Sequence, residues 1–219
     1  MERIIDNIHI KRIGYFNLNL IKGKNGDILI DTGFIHMKRI IKKWLDKHNV
    51  KLIILTHAHV DHIWNTKYIQ DLYNAKVAIS SSDIKYIDNK KIKTRSLNKF
   101  SNLWTKLMKY GMNKFEAAPF EITYKLKDKD EINKYGIKLK IHKLPGHTKG
   151  SIGIEYKKYL FAGDALVNRI KVTRAYQNQN PKDAKRTVQK IKHLSPEIIF
   201  LGHDKYINYW RYFFCFFIY

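Results

Sequence analysis

The chain has 219 residues, which is enough for one domain with a substantial core and short for two. Lysine and arginine outnumber the acidic residues 42 to 19, so a formal net charge of +23 makes affinity for polyanions a question to consider. The single cysteine, Cys215, excludes an internal disulfide and a cysteine-rich zinc site, which leaves histidine and carboxylate side chains as the candidate metal ligands.

The positive charge is a weak indication of nucleic-acid binding. Lysine far outnumbers arginine and is spread along the whole chain with isoleucine, asparagine and tyrosine, which is typical of a compositional bias. Arginine is the better reader of phosphates and bases. Nucleic acid therefore stays open as a partner but is not favoured.

The composition also predicts a cytoplasmic location. Residues 1–6 carry acidic side chains and no long apolar stretch, so we expect no signal peptide. No run of the sequence reaches the roughly 20 apolar residues that a membrane-spanning helix needs. A single cysteine fits a reducing compartment.

The first part of the chain predicts strands followed by a helix. Strands are expected over residues 4–13 and 15–21, the second with apolar and asparagine residues alternating, and over residues 28–30 after an Asn-Gly turn. The third strand ends at Asp31. Residues 37–48 have the apolar spacing of a helix that packs one face on a sheet.

Residues 56–62, here called the metal loop, carry the strongest chemical signal. Their sequence Thr-His-Ala-His-Val-Asp-His follows the apolar strand at residues 52–55 and places His57, His59, Asp61 and His62 within six positions. Imidazole and carboxylate groups are ligands for zinc and related divalent ions. An isolated histidine is usually structural, but this pattern rarely arises without a metal.

The segment after the metal loop predicts a helix over residues 63–74 and a strand at 77–79. Residues 81–120 are then too long for a simple connection and include helical apolar spacing between residues 97 and 112. This insertion is predicted to be either a lid over the site or a helix appended to the core.

Three later segments each end an apolar strand with a candidate ligand. Strands at residues 121–126 and 137–144 lead to His147, a hairpin over residues 151–162 leads to Asp164, and a strand at 197–201 leads to His203. Residues 181–194 predict a helix with proline in its first turn.

Together these motifs resemble the signature of the metallo-β-lactamase-fold hydrolases, in the family order and over residues 4–203. The resemblance implies an α/β fold, a four-layer αβ/βα sandwich, with one hydrolase domain over residues 1–204. Residues 205–219 would form a C-terminal tail, almost wholly aromatic and apolar from residue 209. The sequence does not indicate the oligomeric state.

The resemblance also implies two divalent metal ions, zinc first, with iron or manganese as alternatives. His57, His59 and His147 would bind one ion, Asp61, His62 and His203 the other, and Asp164 would bridge them. Asp31 would bind no metal and would instead position the metal loop by hydrogen bonds, with a turn-capping role as the alternative.

The implied activity is hydrolysis of an ester, thioester or lactone of a small molecule by hydroxide formed at the dinuclear site, as in the glyoxalase-II-like and lactonase branches. Asp61 would be catalytic by orienting water or passing a proton. The alternatives are a phosphodiesterase or RNA-processing nuclease of the same fold and a mononuclear iron sulfur dioxygenase. The sequence departs from the family pattern at two places. Residues 63–65 are Ile-Trp-Asn where the family frequently has glycines, which makes the pocket wall bulkier and weakens the inference of a substrate from the family. Asp204 stands where glycine is more usual.

Overall fold

The protein is built on two β-sheets. The computed structural model describes residues 2–87, 95–96, 117–169 and 171–208. The strands are β1 (Glu2–Ile5), β2 (Ile8–Ile13), β3 (Phe16–Ile21), β4 (Asp27–Ile30), β5 (Val50–Leu55), β6 (Lys76–Ser80), β7 (Arg95–Ser96), β8 (Tyr124–Leu126), β9 (Glu131–Lys134), β10 (Ile137–Lys143), β11 (Ile152–Tyr156), β12 (Tyr159–Gly163), β13 (Leu166–Asn168), β14 (Val172–Arg174), β15 (Gln177–Asn178), β16 (Ile198–Leu201) and β17 (Ile207–Asn208). The helices are α1 (Lys38–Leu45), α2 (Val60–Ile63), α3 (Thr66–Tyr73) and α4 (Pro181–Leu194), with 3-10 turns at Ile35–Met37 and Ile84–Tyr86.

The order of the strands brings the ends of several parallel strands to one edge. The first sheet has seven strands in the order β1-β2-β3-β4-β5-β6-β8, and the second has six in the order β17-β16-β12-β11-β10-β9. In the first sheet β4, β5, β6 and β8 run parallel, and in the second β12 and β16 run parallel. Parallel strands end at the same edge of their sheet, which is where loops carry functional groups.

In the part of the chain that the structure describes, the apolar side chains form three cores, and these define four layers. Alternate residues of β5 point to opposite faces: Leu52 and Ile54 pack between the sheets, whereas Ile53 and Leu55 pack towards α1. A third core joins the outer face of the second sheet to α4, through Val188 and other residues. The order helix, sheet, sheet, helix confirms the predicted αβ/βα sandwich.

Several predicted elements differ in their bounds. The strand expected over residues 4–13 is two strands, β1 and β2, because Asp6 adopts a left-handed conformation (φ 51°) that turns the chain. The helix expected over residues 63–74 is interrupted between α2 and α3. There the side-chain amide of Asn65 donates to the backbone carbonyls of Thr32 and Phe34 rather than facing solvent.

Two predicted features lie outside the described residues: the helical stretch at 97–112 and the aromatic residues 209–219. The lid and the aromatic part of the tail therefore stay predictions. After Asp204 the described chain continues into β17, which pairs antiparallel with β16. Among the described helices, none combines the length and the apolar character that crossing a membrane requires.

Candidate metal centre

The candidate ligands lie at the edge where the parallel strands end. The metal loop follows β5, Asp164 follows β12 and His203 follows β16, while His147 lies beyond the end of β10. The backbone N–H of Ile152 donates to the carbonyl of Thr56 at 2.9 Å, which joins the two sheets at this edge. The structure therefore brings all of the predicted ligands together.

His57, His59 and His147 form the first group. Nδ1 of His59 lies 3.0 Å from Nε2 of His57 and 2.7 Å from Nε2 of His147. The three ligand atoms lie within 4.8 Å of one another, which is a spacing that could accommodate one metal ion. His57 and His147 are buried, so their ring nitrogens are shielded from competing water.

Asp61, His62 and His203 form the second group, again with ligand atoms within 4.8 Å. Nε2 of His203 lies 3.3 Å from Oδ2 of Asp61 and 3.4 Å from Nε2 of His62. Asp164 lies between the two groups. Its Oδ2 is 3.2 Å from Nε2 of His203 and 3.6 Å from Nε2 of His147, and its Oδ1 is 3.4 Å from Nε2 of His62.

Hydrogen bonds on the outer side of the rings fix which nitrogen faces the centre. Nδ1 of His147 donates to the carbonyl of Gln177 at 2.7 Å, and Nδ1 of His62 donates to Oδ2 of Asp31 at 2.8 Å. Because each of these acceptors receives the proton of Nδ1, Nε2 is the nitrogen of both rings that faces the other candidate ligands. Burial would lower the pKa of His62, but the carboxylates of Asp164, Asp31 and Asp61 raise it well above its ordinary value, so without metal its Nε2 is protonated as well. Such outer partners orient metal-binding histidines and raise their basicity.

Asp31 connects the end of β4 to the metal loop. Its carboxylate accepts the backbone N–H of Thr56 at 2.8 Å and the Thr56 hydroxyl at 2.9 Å, in addition to the ring of His62. The residue has φ 60°, a left-handed conformation that aspartate tolerates better than most side chains. These contacts are those that the predicted positioning role requires.

Burial and neighbouring charges divide the histidines into two classes. Burial lowers the pKa of His57 well below its ordinary value and that of His59 to about 3. For His203 burial acts in the same direction, but the carboxylates of Asp164 and Asp61 outweigh it and raise the pKa to about 10. Without metal, therefore, His203 is charged while the first group is neutral.

The two carboxylates respond in the opposite sense. Burial on its own would raise the pKa of Asp164, but His203 and His62 hold it well below its usual range. The pKa of Asp61 is likewise lowered, because His62 and His203 outweigh the effect of burial. Both acids are thus ionised at neutral pH.

Asp83 is a residue of the site that the sequence did not single out. Its buried carboxylate accepts the backbone N–H of Ala58 at 3.1 Å, the hydroxyl of Thr148 at 2.7 Å and the backbone N–H of Gly150 at 2.7 Å. Ala58 lies in the metal loop and Thr148 follows His147, so Asp83 joins two ligand-bearing loops. The only sequence signal was an aspartate soon after a strand, which is common.

Asn17 is a second residue that the sequence did not single out. Apolar residues and asparagines alternate along β3, which predicted that the side chain of Asn17 lies on the face of the strand opposite to the apolar side chains. The structure shows that both faces of β3 are buried. The side-chain amide of Asn17 donates to the carbonyls of Leu201 at 3.0 Å and Asp204 at 2.6 Å, which brackets His203. Asp204 itself has φ 65°, so the aspartate occupies the left-handed conformation that glycine would adopt most easily.

Position 202 has no space for a side chain larger than that of glycine. A Cβ atom at this position would collide with Oδ1 of Asp164 and with the ring of His62. The absence of a side chain therefore lets the chain before His203 pass directly behind two candidate ligands.

An aromatic group lies beside the second group of ligands. The ring of Phe16 contacts that of His203 with centroids 4.9 Å apart, Phe34 stacks on Phe16 at 6.4 Å, and Trp64 contacts Phe34 at 5.5 Å. Residues 63–65 stand where the family frequently has glycines, and among them only Trp64 is part of this aromatic group. Ile63 packs in the core instead.

Comparison with known proteins identifies the family. Residues 17–203 match the model of the metallo-beta-lactamase superfamily. A probable metallo-hydrolase of Methanocaldococcus jannaschii is 33% identical over 153 residues, which are 68% of this chain and 66% of that protein. A hydroxyacylglutathione hydrolase of Wigglesworthia glossinidia brevipalpis is 28% identical over 179 residues, which are 81% of this chain and 56% of that protein.

The chain thus matches between 56% and 66% of the length of these two curated relatives. A metallo-beta-lactamase family protein from Thermus thermophilus, known from its crystal structure, shares the fold with a TM-score of 0.71 at 22% identity, over 95% of this chain and 77% of that one. Since the family model spans most of the sequence and the fold agrees, this chain belongs to the metallo-β-lactamase superfamily.

Proposed function

We propose that the protein is a metal-dependent hydrolase that acts on a thioester, ester or lactone of a small molecule. The observation that carries this proposal is the convergence of seven ligand-type side chains into groups whose ligand atoms lie within 4.8 Å. These nitrogen and carboxylate oxygen atoms converge in a small, largely buried space, which is the arrangement that a site for divalent cations requires.

The donor set fits a pair of divalent ions. Oδ1 of Asp164 is buried and has no hydrogen-bond partner among the described residues, which is unusual for a carboxylate oxygen. In our proposal one ion binds His57, His59 and His147, the other binds Asp61, His62 and His203, and Asp164 bridges the two. Nitrogen and oxygen donors without thiolate suit zinc, and they also suit iron or manganese.

Two ions bound in this way would supply hydroxide at neutral pH by lowering the pKa of water from 15.7 to about 7, and would polarise a carbonyl oxygen of the substrate. The residues of the chain then have separate tasks. Asp61 stays ionised, and its Oδ2 lies 3.3 Å from Nε2 of His203, so it can orient the attacking hydroxide by accepting a hydrogen bond from it. The outer hydrogen bonds of His62 and His147 keep the rings from turning as charge develops.

Similarity and pocket chemistry favour a thioester as the substrate. The relatives include hydroxyacylglutathione hydrolases, and the wall formed by Phe16, Phe34 and Trp64 offers an apolar surface beside His203. A thioester has a weakly basic leaving group, so the attack of hydroxide needs little help from a general acid. We also propose that the protein acts in the cytoplasm, as its single cysteine suggests.

Steady-state hydrolysis of a hydroxyacyl-glutathione thioester, an aryl ester, a lactone, a bis-nitrophenyl phosphate and a structured RNA would test the proposal. We expect the thioester to give the highest kcat/KM. Asp61→Asn should lower it at least about 100-fold, whereas the exposed Asp71→Asn, which loses only a surface pair with Lys67, should not. Cleavage of RNA or phosphodiester in preference to the thioester would replace the proposal with a nuclease or phosphodiesterase.

A further inference from the structure

Three ligand-type side chains meet where the edge strands β1 and β2 of the first sheet approach the end of α1. They are Glu2 on β1, His9 on β2 and His48 after α1, and we call them the edge cluster. Nδ1 of His9 lies 3.0 Å from Oε1 of Glu2, and Nε2 of His48 lies 4.0 Å from the same oxygen. One ligand atom from each residue lies within 4.8 Å of the others.

The edge cluster is separate from the candidate metal centre. His48 precedes the first residue of β5, whereas the metal loop follows the last. At about 3.3 Å per residue, the six residues of β5 place His48 roughly 20 Å from the metal loop, and β3 and β4 separate Glu2 and His9 from β5. A ligand bound at the edge cluster would therefore not contact the residues proposed for catalysis.

His48 is the most buried member of the edge cluster. Its side chain is only 5% exposed, and its Nδ1 has no hydrogen-bond partner among the described residues. The nearest carboxylate to Nδ1 is that of Asp27, whose Oδ2 lies 3.9 Å away. A metal-bound histidine commonly has a carboxylate on its second nitrogen, and a small rotation of the ring would form this pair while Nε2 faces Glu2.

The other two members, Glu2 and His9, are open to solvent, and the carboxylate of Glu2 is held by a hydrogen bond. The side chains of Glu2 and His9 are 33% and 19% exposed, so an ion can enter from solvent. The indole N–H of Trp44 donates to Oε1 of Glu2 at 2.8 Å, which fixes the carboxylate in place.

We propose that Glu2, His9 and His48 bind a divalent transition-metal ion, with Zn²⁺ as the probe, and that this ion clamps β1 and β2 to the connection between α1 and β5. Two imidazoles and a carboxylate are a common set for zinc, with a fourth position left to water. Bonds of about 2.0–2.1 Å in a tetrahedron separate the ligand atoms by roughly 3.3 Å. The observed 3.0 and 4.0 Å lie on either side of that value, so shifts below about 1 Å complete the site.

The test is the zinc content of the full chain after equilibrium dialysis. His9→Gln removes one donor from a partly exposed position and should lower the content by about one ion per chain relative to wild type. His48→Gln should do the same, but it alters a buried residue, so His9→Gln decides if the second variant does not fold. His193→Gln is the matched control, because His193 is an exposed histidine on α4, remote from both sites.

A second readout does not depend on counting ions at the metal centre. Once that centre is saturated, further zinc at about 100-fold above the Kd of the edge cluster should raise the Tm of wild type by about 5–10 °C. The His9→Gln variant should lack this second rise, and His193→Gln should retain it. Equal zinc content and equal Tm response in wild type and His9→Gln would overturn the proposal and leave Glu2 and His9 as a simple hydrogen-bonded pair.

Discussion

Replacing Asp83 with alanine tests whether one buried carboxylate sets the positions of two ligand-bearing loops. The change removes the acceptor for the backbone N–H groups of Ala58 and Gly150 and for the hydroxyl of Thr148. The hydroxyl keeps a neighbour, since Oγ of Ser151 lies 2.8 Å from it. The two backbone donors would be left buried without a partner.

The expected loss of stability follows from these contacts. Each buried donor without an acceptor costs about 1–3 kcal/mol, so the pair costs roughly 2–6 kcal/mol. Part of this is offset because burial raises the pKa of Asp83, which means that its charge at neutral pH is itself unfavourable in the fold. We therefore expect a net loss of about 1–4 kcal/mol in the free energy of unfolding.

Urea unfolding followed by circular dichroism measures the stability, and competition with a chromophoric chelator measures the affinity for Zn²⁺. Loss of a residue that positions ligands typically weakens metal binding by about 10–100-fold, and we expect Asp83→Ala to fall in that range. The control is Asp71→Ala, which removes an exposed acid paired with Lys67 and should change stability by less than about 0.5 kcal/mol. If Asp83→Ala binds zinc as tightly as this control, the loops are positioned by other contacts and the reasoning fails.

Other predictions test separate parts of the site. Gly202→Ala places a methyl group against the carboxylate of Asp164 and should reduce zinc affinity at least about tenfold while circular dichroism stays native; unchanged affinity would show that the loop can move aside. Asn17→Ala removes the two side-chain hydrogen bonds on either side of His203 and should lower the free energy of unfolding in urea by about 1–3 kcal/mol. The exposed Asn133→Ala should change it little. In the metal-free protein the raised pKa of His203 adds stability that is fully present below pH 6.5 and is lost as pH rises towards 10, so Tm should fall over that window; a flat profile, or the same fall in His203→Asn, would contradict this.

The sequence predicted the four layers correctly, and the structure brings the candidate ligands that it named to one place. The four-layer sandwich was what the family resemblance implied, and the structure agrees with it, since alternate residues such as Leu52 and Ile53 in β5 face different cores. The ligands were recognisable because they follow strands in a fixed order along the chain.

The parts that were missed depend on contacts between distant segments. Asp83 reaches Thr148 and Gly150 across more than 60 positions, and Asn17 reaches Leu201 across 184. No periodicity or motif records such pairings, because a single buried aspartate or asparagine looks like a turn residue in the sequence. The turn at Asp6 was also missed. An aspartate adopts the left-handed conformation there, and a glycine, which would have marked the turn in the sequence, is absent from that position.

The central claim is that a pair of metal ions at the metal loop enables hydrolysis. It is tested most directly by removing metal with a chelator and adding Zn²⁺ back stepwise while thioester hydrolysis and bound zinc are measured together, in the His9→Gln variant so that the edge cluster does not contribute. Activity should be lost on chelation and should return in step with the binding of about two ions per chain. Hydrolysis that persists in the fully metal-free protein, or zinc binding at the centre that restores none of it, would contradict the account.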